Sequence, residues 1–193
     1  MHLNFMEILA TFMVLFAIID ILGSIPVILD VKAKTGALFP VKTTLVAFGI
    51  MLLFLFIGEP LLGLFGVDIS SFAIAGSVIL FLMGLEMVLG IQLFKHDSGG
   101  SGAIVPIAFP LIAGAGSITT LLSLRAEYQS INILVALSLN MIIVYLVLRL
   151  TTFFERVIGP SGLHILKKFF GIILLAIAIK LFMSNTGIEI SKG

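Results

Sequence analysis

The sequence predicts an all-α membrane protein: six transmembrane helices forming two inverted three-helix repeats, with the first and fourth helices broken. Three observations carry this expectation. Of the 193 residues, 60% are hydrophobic and only 11% charged, with a mean hydropathy of +1.29, too little polar surface to cover a water-soluble globule. The apolar residues fall in six long stretches, and a helix needs about 20 such residues to cross the hydrocarbon core. The runs are unbroken and do not alternate, which favours helices over barrel strands where every backbone group must find a partner inside the bilayer. The first and fourth stretches also carry helix-breaking clusters at corresponding places.

In chain order, the first helix is expected over 5–29, interrupted by Asp20, Gly23 and Pro26. The second spans 44–65 and holds Glu59 and Pro60. The third, over 70–94, contains Glu86. The fourth, over 104–124, is uncharged but carries Pro106, Pro110, Gly114 and Gly116. The fifth spans 131–154 with Asn140 and Arg149, and the sixth spans 163–184 with Lys180. Gly66, Val67 and Asp68 are expected to form the tightest turn. The N-terminal MHLNFMEILA has no basic region and carries Glu7, so the first stretch reads as a retained helix and not a cleaved signal.

The whole chain, 1–193, reads as one membrane domain: a first repeat over 1–95, a Gly/Ser linker over 96–103, and a second repeat over 104–193. Lys32, Lys34, Lys42, Lys95, Arg149, Arg156, Lys167 and Lys168 fall toward one side, against Arg125, Lys180 and Lys192 toward the other. Cytoplasmic loops retain Lys and Arg, so the linker is expected to be cytoplasmic and both termini extracytoplasmic. Three helices per half make any similarity between halves an inverted repeat. LVAFGIMLLFLF from Leu45 matches LVALSLNMIIVYLV from Leu134, and GSVILFLMGLEM from Gly76 matches GIILLAIAIKLF from Gly171, at offsets of 89 and 95.

The sharpest chemical signal is the pair of breaks, DILGSIP over 20–26 and PLIAGAGSITT over 110–120. Glycine weakens a helix by about 1 kcal/mol relative to alanine and proline by roughly 3, so such clusters free backbone N–H and C=O groups at membrane depth. Transporters use those groups to hold small charged substrates, N–H ends facing anions and carbonyls facing cations. Asp20, Gly23, Ser24 and Pro26 in the first break, with Pro110, Gly114, Gly116, Ser117, Thr119 and Thr120 in the second, are therefore the candidate substrate-binding residues. The competing reading is that small residues merely permit close helix packing. Asp20 either sits protonated or hydrated in a cavity, as suits a proton-coupled carrier, or caps the amides freed by the break.

Intramembrane charges form a second group, because an ionisable residue at bilayer depth costs about 2.5–3.5 kcal/mol. Depth and the repeat alignment pair Glu59 with Lys180 toward the outer side and Glu86 with Arg149 toward the inner side, as two ion-pair gates between the repeats. Against this, Lys180 and Arg149 could simply snorkel to the nearer interface.

Several motifs together resemble the MarC family of bacterial and archaeal inner-membrane proteins. They are the Asp followed by Gly and Pro in the first helix, the GEP at 58–60, the ILFL run after Gly76, the block IVPIAFPLIAGAGSI from Ile104, and the Gly-rich last helix. Family members usually have proline after that Asp and within the fourth-helix break, where this chain has Ile21 and Ala115. The resemblance implies an inverted three-plus-three fold, an inner-membrane location and transport or export of small neutral amino acids, with coupling to protons or sodium left open.

Other classes fit less well. Scattered Lys and Arg leave no nucleic-acid footprint. With no cysteine, and with His2, His96 and His164 lacking ligand spacing, neither a metal nor another cofactor is expected. No paired catalytic residues occur at facing depth, which disfavours an intramembrane enzyme. A small-solute or ion channel and a non-transporting subunit remain alternatives, and assembly into a homo-oligomer is left open. The expected partners are the lipid bilayer and the small neutral amino acid.

Overall fold

The structure, a computed structural model, describes residues 3–91, 93 and 103–187, and among these it contains helices and no strand. The linker read over 96–103 lies outside the described residues except for Ala103.

Helix α1 (Phe5–Ile19) opens at Asn4, whose side chain accepts the Met6 and Glu7 amides. It ends at Asp20, which turns into the left-handed region (φ 41°), a conformation aspartate tolerates better than most residues. Helix α2 (Ile25–Thr35) then starts with Pro26 in its first turn, where a missing N–H costs nothing, and stops at Gly36 (φ 79°). The expected interruption is present, but the helical segment beyond it runs on to Thr35.

Helix α3 (Pro40–Leu64) also begins on proline and carries Pro60 inside. Proline has no N–H for the carbonyl four residues back, here that of Phe56. Arg125 fills the gap: its Nη1 donates to the Phe56 carbonyl at 3.0 Å and the Leu55 carbonyl at 2.8 Å. The GEP motif thus exposes backbone acceptors that fasten α3 to the end of a later helix.

Helix α4 (Ile69–Leu89) is capped by Asp68, which accepts the Ser71 amide at 2.8 Å, and closes at Gly90 (φ 70°). The hydrogen bonds from Ser71 hold the Asp68 carboxyl below its ordinary pKa. After the short α5 (Ile104–Pro106), a π-helical segment (Ile107–Ile112) with Phe109 extended leads into α6 (Ala115–Glu127), bent by 47° from what precedes it. Helix α7 (Ser130–Arg149) joins α8 (Thr151–Thr186) through Leu150 alone. That connection is shorter than the one through Gly66–Asp68, which joins α3 to α4. The stretch expected as a loop before the sixth helix is helical, interrupted only at Gly159 (φ 69°, ψ 169°).

By length and composition, α3, α4 and α7 can each cross a membrane, and the bent run from Ile104 to Arg125 makes a fourth span if counted as one. The break at Asp20 leaves α1 with 15 residues and α2 with 11, each short of a span by itself. Packing relies on small residues, as expected where lipid supplies no hydrophobic drive between helices. In the extensive α4–α8 contact, a Cβ on Gly171 would lie 2.9 Å from Val88 and 3.2 Å from the Gly84 carbonyl. Buried amides tie α1 to α7: Asn140 donates to the Phe12 carbonyl at 3.2 Å, and Asn132 to Glu7 at 2.7 Å. Leu15, Ile28, Met51, Leu55, Ile107 and Leu137 fill the core, while Leu45, Leu53, Phe56 and Ile57 of α3 face outward, as lipid requires.

Candidate functional site

Both breaks open onto one cavity of about 290 Å³, between α1, α2, α6 and α8 with Leu80 of α4 on its wall. Asp20, Gly23 and Ser24 line it from the first break, and Pro110, Gly114, Gly116 and Ser117 from the second. Seven of the ten residues expected to bind substrate therefore share one space. The remaining three lie elsewhere: Pro26 is buried in α2, Thr119 turns its hydroxyl onto the Gly116 carbonyl at 3.1 Å, and Thr120 does not reach the cavity.

Local chemistry explains the shape of each break. The Asp20 carboxylate accepts the Gly23 amide at 3.2 Å and lies across the bare Gly23 Cα, so that a side chain there would collide with it. The Ser24 amide donates to the Asp20 carbonyl at 2.9 Å, closing the turn. In the second break, a Cβ on Gly114 would overlap the Pro110 carbonyl, and one on Gly76 would overlap Ala115. Glycine at 76 thus lets Ala115 seat against α4. Ser117 donates to the Ile112 carbonyl at 2.7 Å, satisfying an acceptor left by the π-helical turn. Neither α2 nor α6 has a side-chain cap at its start. At α2 the Ile25 amide donates to the Leu22 carbonyl at 3.3 Å and Pro26 has no N–H, so it is the start of α6 that offers amides to an anion, while the last carbonyls of α1 favour a cation.

The charged residues are arranged differently from the expectation. Glu86, 3% exposed, pairs with Lys34 and not with Arg149. Lys34 also binds Asp30 at 2.8 Å, and Asp30 binds Lys167 at 2.5 Å, so a buried cluster joins α2, α4 and α8 below the cavity. Lys32 reaches Glu155 at 2.5 Å beside it. Arg149 is exposed and donates instead to the Tyr145 hydroxyl at 3.0 Å, because its position on α7 turns it away from α4. Glu59 is exposed near the end of α3 and forms no ion pair among the described residues. Lys180, its expected partner, lines the cavity that Asp20 lines. Sequence reading did not single out the Asp30–Lys34 pair, although its i,i+4 spacing was visible, nor Arg125. Among the described residues no group of His, Asp and Glu is placed to hold a metal ion.

Comparison with known proteins places these features in a family. Residues 5–189 match the family described as MarC family integral membrane protein. The chain is 31% identical to the UPF0056 inner membrane protein YhgN of Escherichia coli K12, covering 93% of this chain and 95% of that one. It is 33% identical to a UPF0056 membrane protein of Methanocaldococcus jannaschii, over 89% and 91% of the two chains, and 29% identical to one of Buchnera aphidicola from Schizaphis graminum, over 93% and 95%. No solved structure matches it. With the family match running over almost its whole length, this chain belongs to the MarC family of integral membrane proteins.

Proposed function

We propose that the protein is a secondary transporter of small neutral amino acids that works by alternating access, with substrate held between the two helix breaks. The observation that carries this reading is the cavity itself, because breaks 90 residues apart in sequence, Asp20 and Pro110, open onto the same space. A structural anchor has no use for two interrupted helices meeting around a void. At about 290 Å³ the void is at the lower edge of ligand pockets, which run from about 300 to 1,000 Å³, and it suits a metabolite of a few heavy atoms.

The pattern of packing supports two inverted repeats of three spans each. Exchanging the first, second and third spans with the fourth, fifth and sixth maps several of the principal contacts onto one another, although α3–α6 and α1–α6 have no such counterpart. The α1–α7 contact corresponds to the packing of α3 on α5 and the π-helical segment, and α2–α8 corresponds to α4–α6, while α4–α8 and α3–α7 map onto themselves. In this reading α1 with α2 forms one broken span and the α8 segment after Gly159 forms the sixth.

The basic ends of α2 and α8 then face the cytoplasm in an inner membrane, with both termini outside. The Asp30–Lys34–Glu86–Lys167 cluster closes the cytoplasmic side, and the cavity extends along α8 from Phe170 to Ser184, away from that cluster. This is the arrangement of a carrier open to the outside, and rocking of one repeat against the other would have to part the cluster. Counterflow tests the reading: proteoliposomes loaded with unlabelled alanine should accumulate labelled alanine transiently. Uptake equal to that of empty liposomes would refute it, and ohmic single-channel currents would identify a channel instead.

A further inference from the structure

We propose that the cavity recognises its ligand as a zwitterion: Lys180 binds the α-carboxylate and Asp20 the α-ammonium of one small amino acid. The inference rests on the carrier reading above and deepens it by assigning Lys180 to substrate binding.

Lys180 lies on the side of α8 that lines the cavity, in helical register with Ile173, Ile177 and Ser184, while Asp20 lies at the break facing it. Neither charge forms an ion pair among the described residues, although the neighbouring cluster consumes Lys34, Lys167, Asp30 and Glu86. One Asp20 oxygen accepts the Gly23 amide, a neutral donor that leaves the negative charge uncompensated. Both residues are exposed at the cavity and not buried, and at membrane depth an anion and a cation lining one cavity each favour a counter-charge. A zwitterion supplies both at once, whereas an amine or a carboxylate alone leaves one of them unpaired.

The backbone reinforces the same polarity. The left-handed turn at Asp20 ends α1, whose last carbonyls add to the negative side, and the uncapped start of α6 offers amide donors to a carboxylate. Much of the remaining wall is apolar, with Leu80, Leu174 and Ile177 among its residues, which suits a short uncharged substituent.

Equilibrium binding to the purified full chain in detergent tests the proposal, with L-alanine, L-alaninamide, which lacks the carboxylate, and propionate, which lacks the ammonium. Wild type should prefer alanine over either analogue by about 10- to 100-fold, the worth of one charge-assisted contact. Lys180→Gln should lose that factor for alanine and keep its alaninamide affinity, so that the discrimination collapses, whereas Lys180→Arg should retain it. Asp20→Asn should abolish the preference over propionate in the same way. A second measurement needs no variant: alanine, but not alaninamide, should slow acylation of the Lys180 amine in wild type, read by mass spectrometry. Alanine binding that persists in Lys180→Gln with the wild-type preference, or acylation indifferent to alanine, overturns the clamp and leaves the carrier reading standing. No alanine binding by wild type defeats both.

Discussion

Replacing Lys34 with methionine should destabilise the protein by about 2–3 kcal/mol, and the size of that loss follows from what the substitution leaves behind. Lys34 lies between two carboxylates, Asp30 at 2.8 Å and Glu86, and the three side chains are only 13%, 11% and 4% exposed. Methionine preserves the length and apolar stem of lysine but removes a charge that both acids share. Removing one partner of a buried pair typically costs about 3–5 kcal/mol, because the other charge stays behind without compensation. Lys167 continues to neutralise Asp30, which places the expectation at or just below the bottom of that range. For a chain of this size, 2–3 kcal/mol corresponds to a drop of roughly 4–12 °C in unfolding temperature, measurable in detergent by differential scanning fluorimetry. Two comparisons sharpen the test. The Lys34→Met/Glu86→Gln double variant should lose less than the sum of the two single losses, since the two side chains share one ion pair. Arg149→Met should cost less than about 0.5 kcal/mol, as is usual for an exposed charge. A Lys34→Met protein as stable as wild type, or a double variant whose loss is the sum of the single losses, would refute the placement of Lys34 in a buried network.

Two further predictions address packing and capping. Gly171→Leu should lower the unfolding temperature, by about 1–3 kcal/mol of overpacking, because even its Cβ would lie 2.9 Å from Val88 and 3.2 Å from the Gly84 backbone; the same change at Gly49, which has open space around its Cα, should have little effect. Asp68→Ala should weaken the start of α4 at neutral pH and make no difference in strong acid. The folded-state pKa of Asp68 is lowered, so its contribution is present above the unfolded carboxylate range and lost as pH falls through the folded value. Thermal unfolding of both proteins at pH 7 and in strong acid reads this directly.

Much of the fold was legible because membrane helices must satisfy their own backbone. Asp20, Gly23 and Pro26 marked the first break, and Pro110 and Gly114 the second, since each residue removes a donor or admits a conformation that a helix rejects. Helix ends were less legible. Nothing in an apolar run distinguishes helix from a brief connection, so α8 was expected to begin well after its true start at Thr151, and the junction at Leu150 was missed. Ion pairing was the least legible feature. Depth along a helix can be estimated from sequence, but the rotational setting that turns Arg149 to Tyr145 and Glu86 to Lys34 depends on how helices pack. Lys34 lies beyond residue 29, where the first stretch is expected to end, whereas α2 runs on to Thr35. Arg125 was likewise invisible, since its role depends on carbonyls that Pro60 frees in another helix.

Access to the cavity is the central claim, and the absence of cysteine from the chain makes it directly measurable. Ser24→Cys and Ser117→Cys each place one thiol on the cavity wall, one in each broken span. In oriented vesicles, a membrane-impermeant thiol reagent should modify both from the extracytoplasmic side in the Lys34-paired state. Lys34→Met should raise modification from the cytoplasmic side, and alanine should slow labelling from either side. Labelling confined to one side under every condition, or insensitive to alanine, would contradict an alternating-access carrier with its substrate between the two breaks.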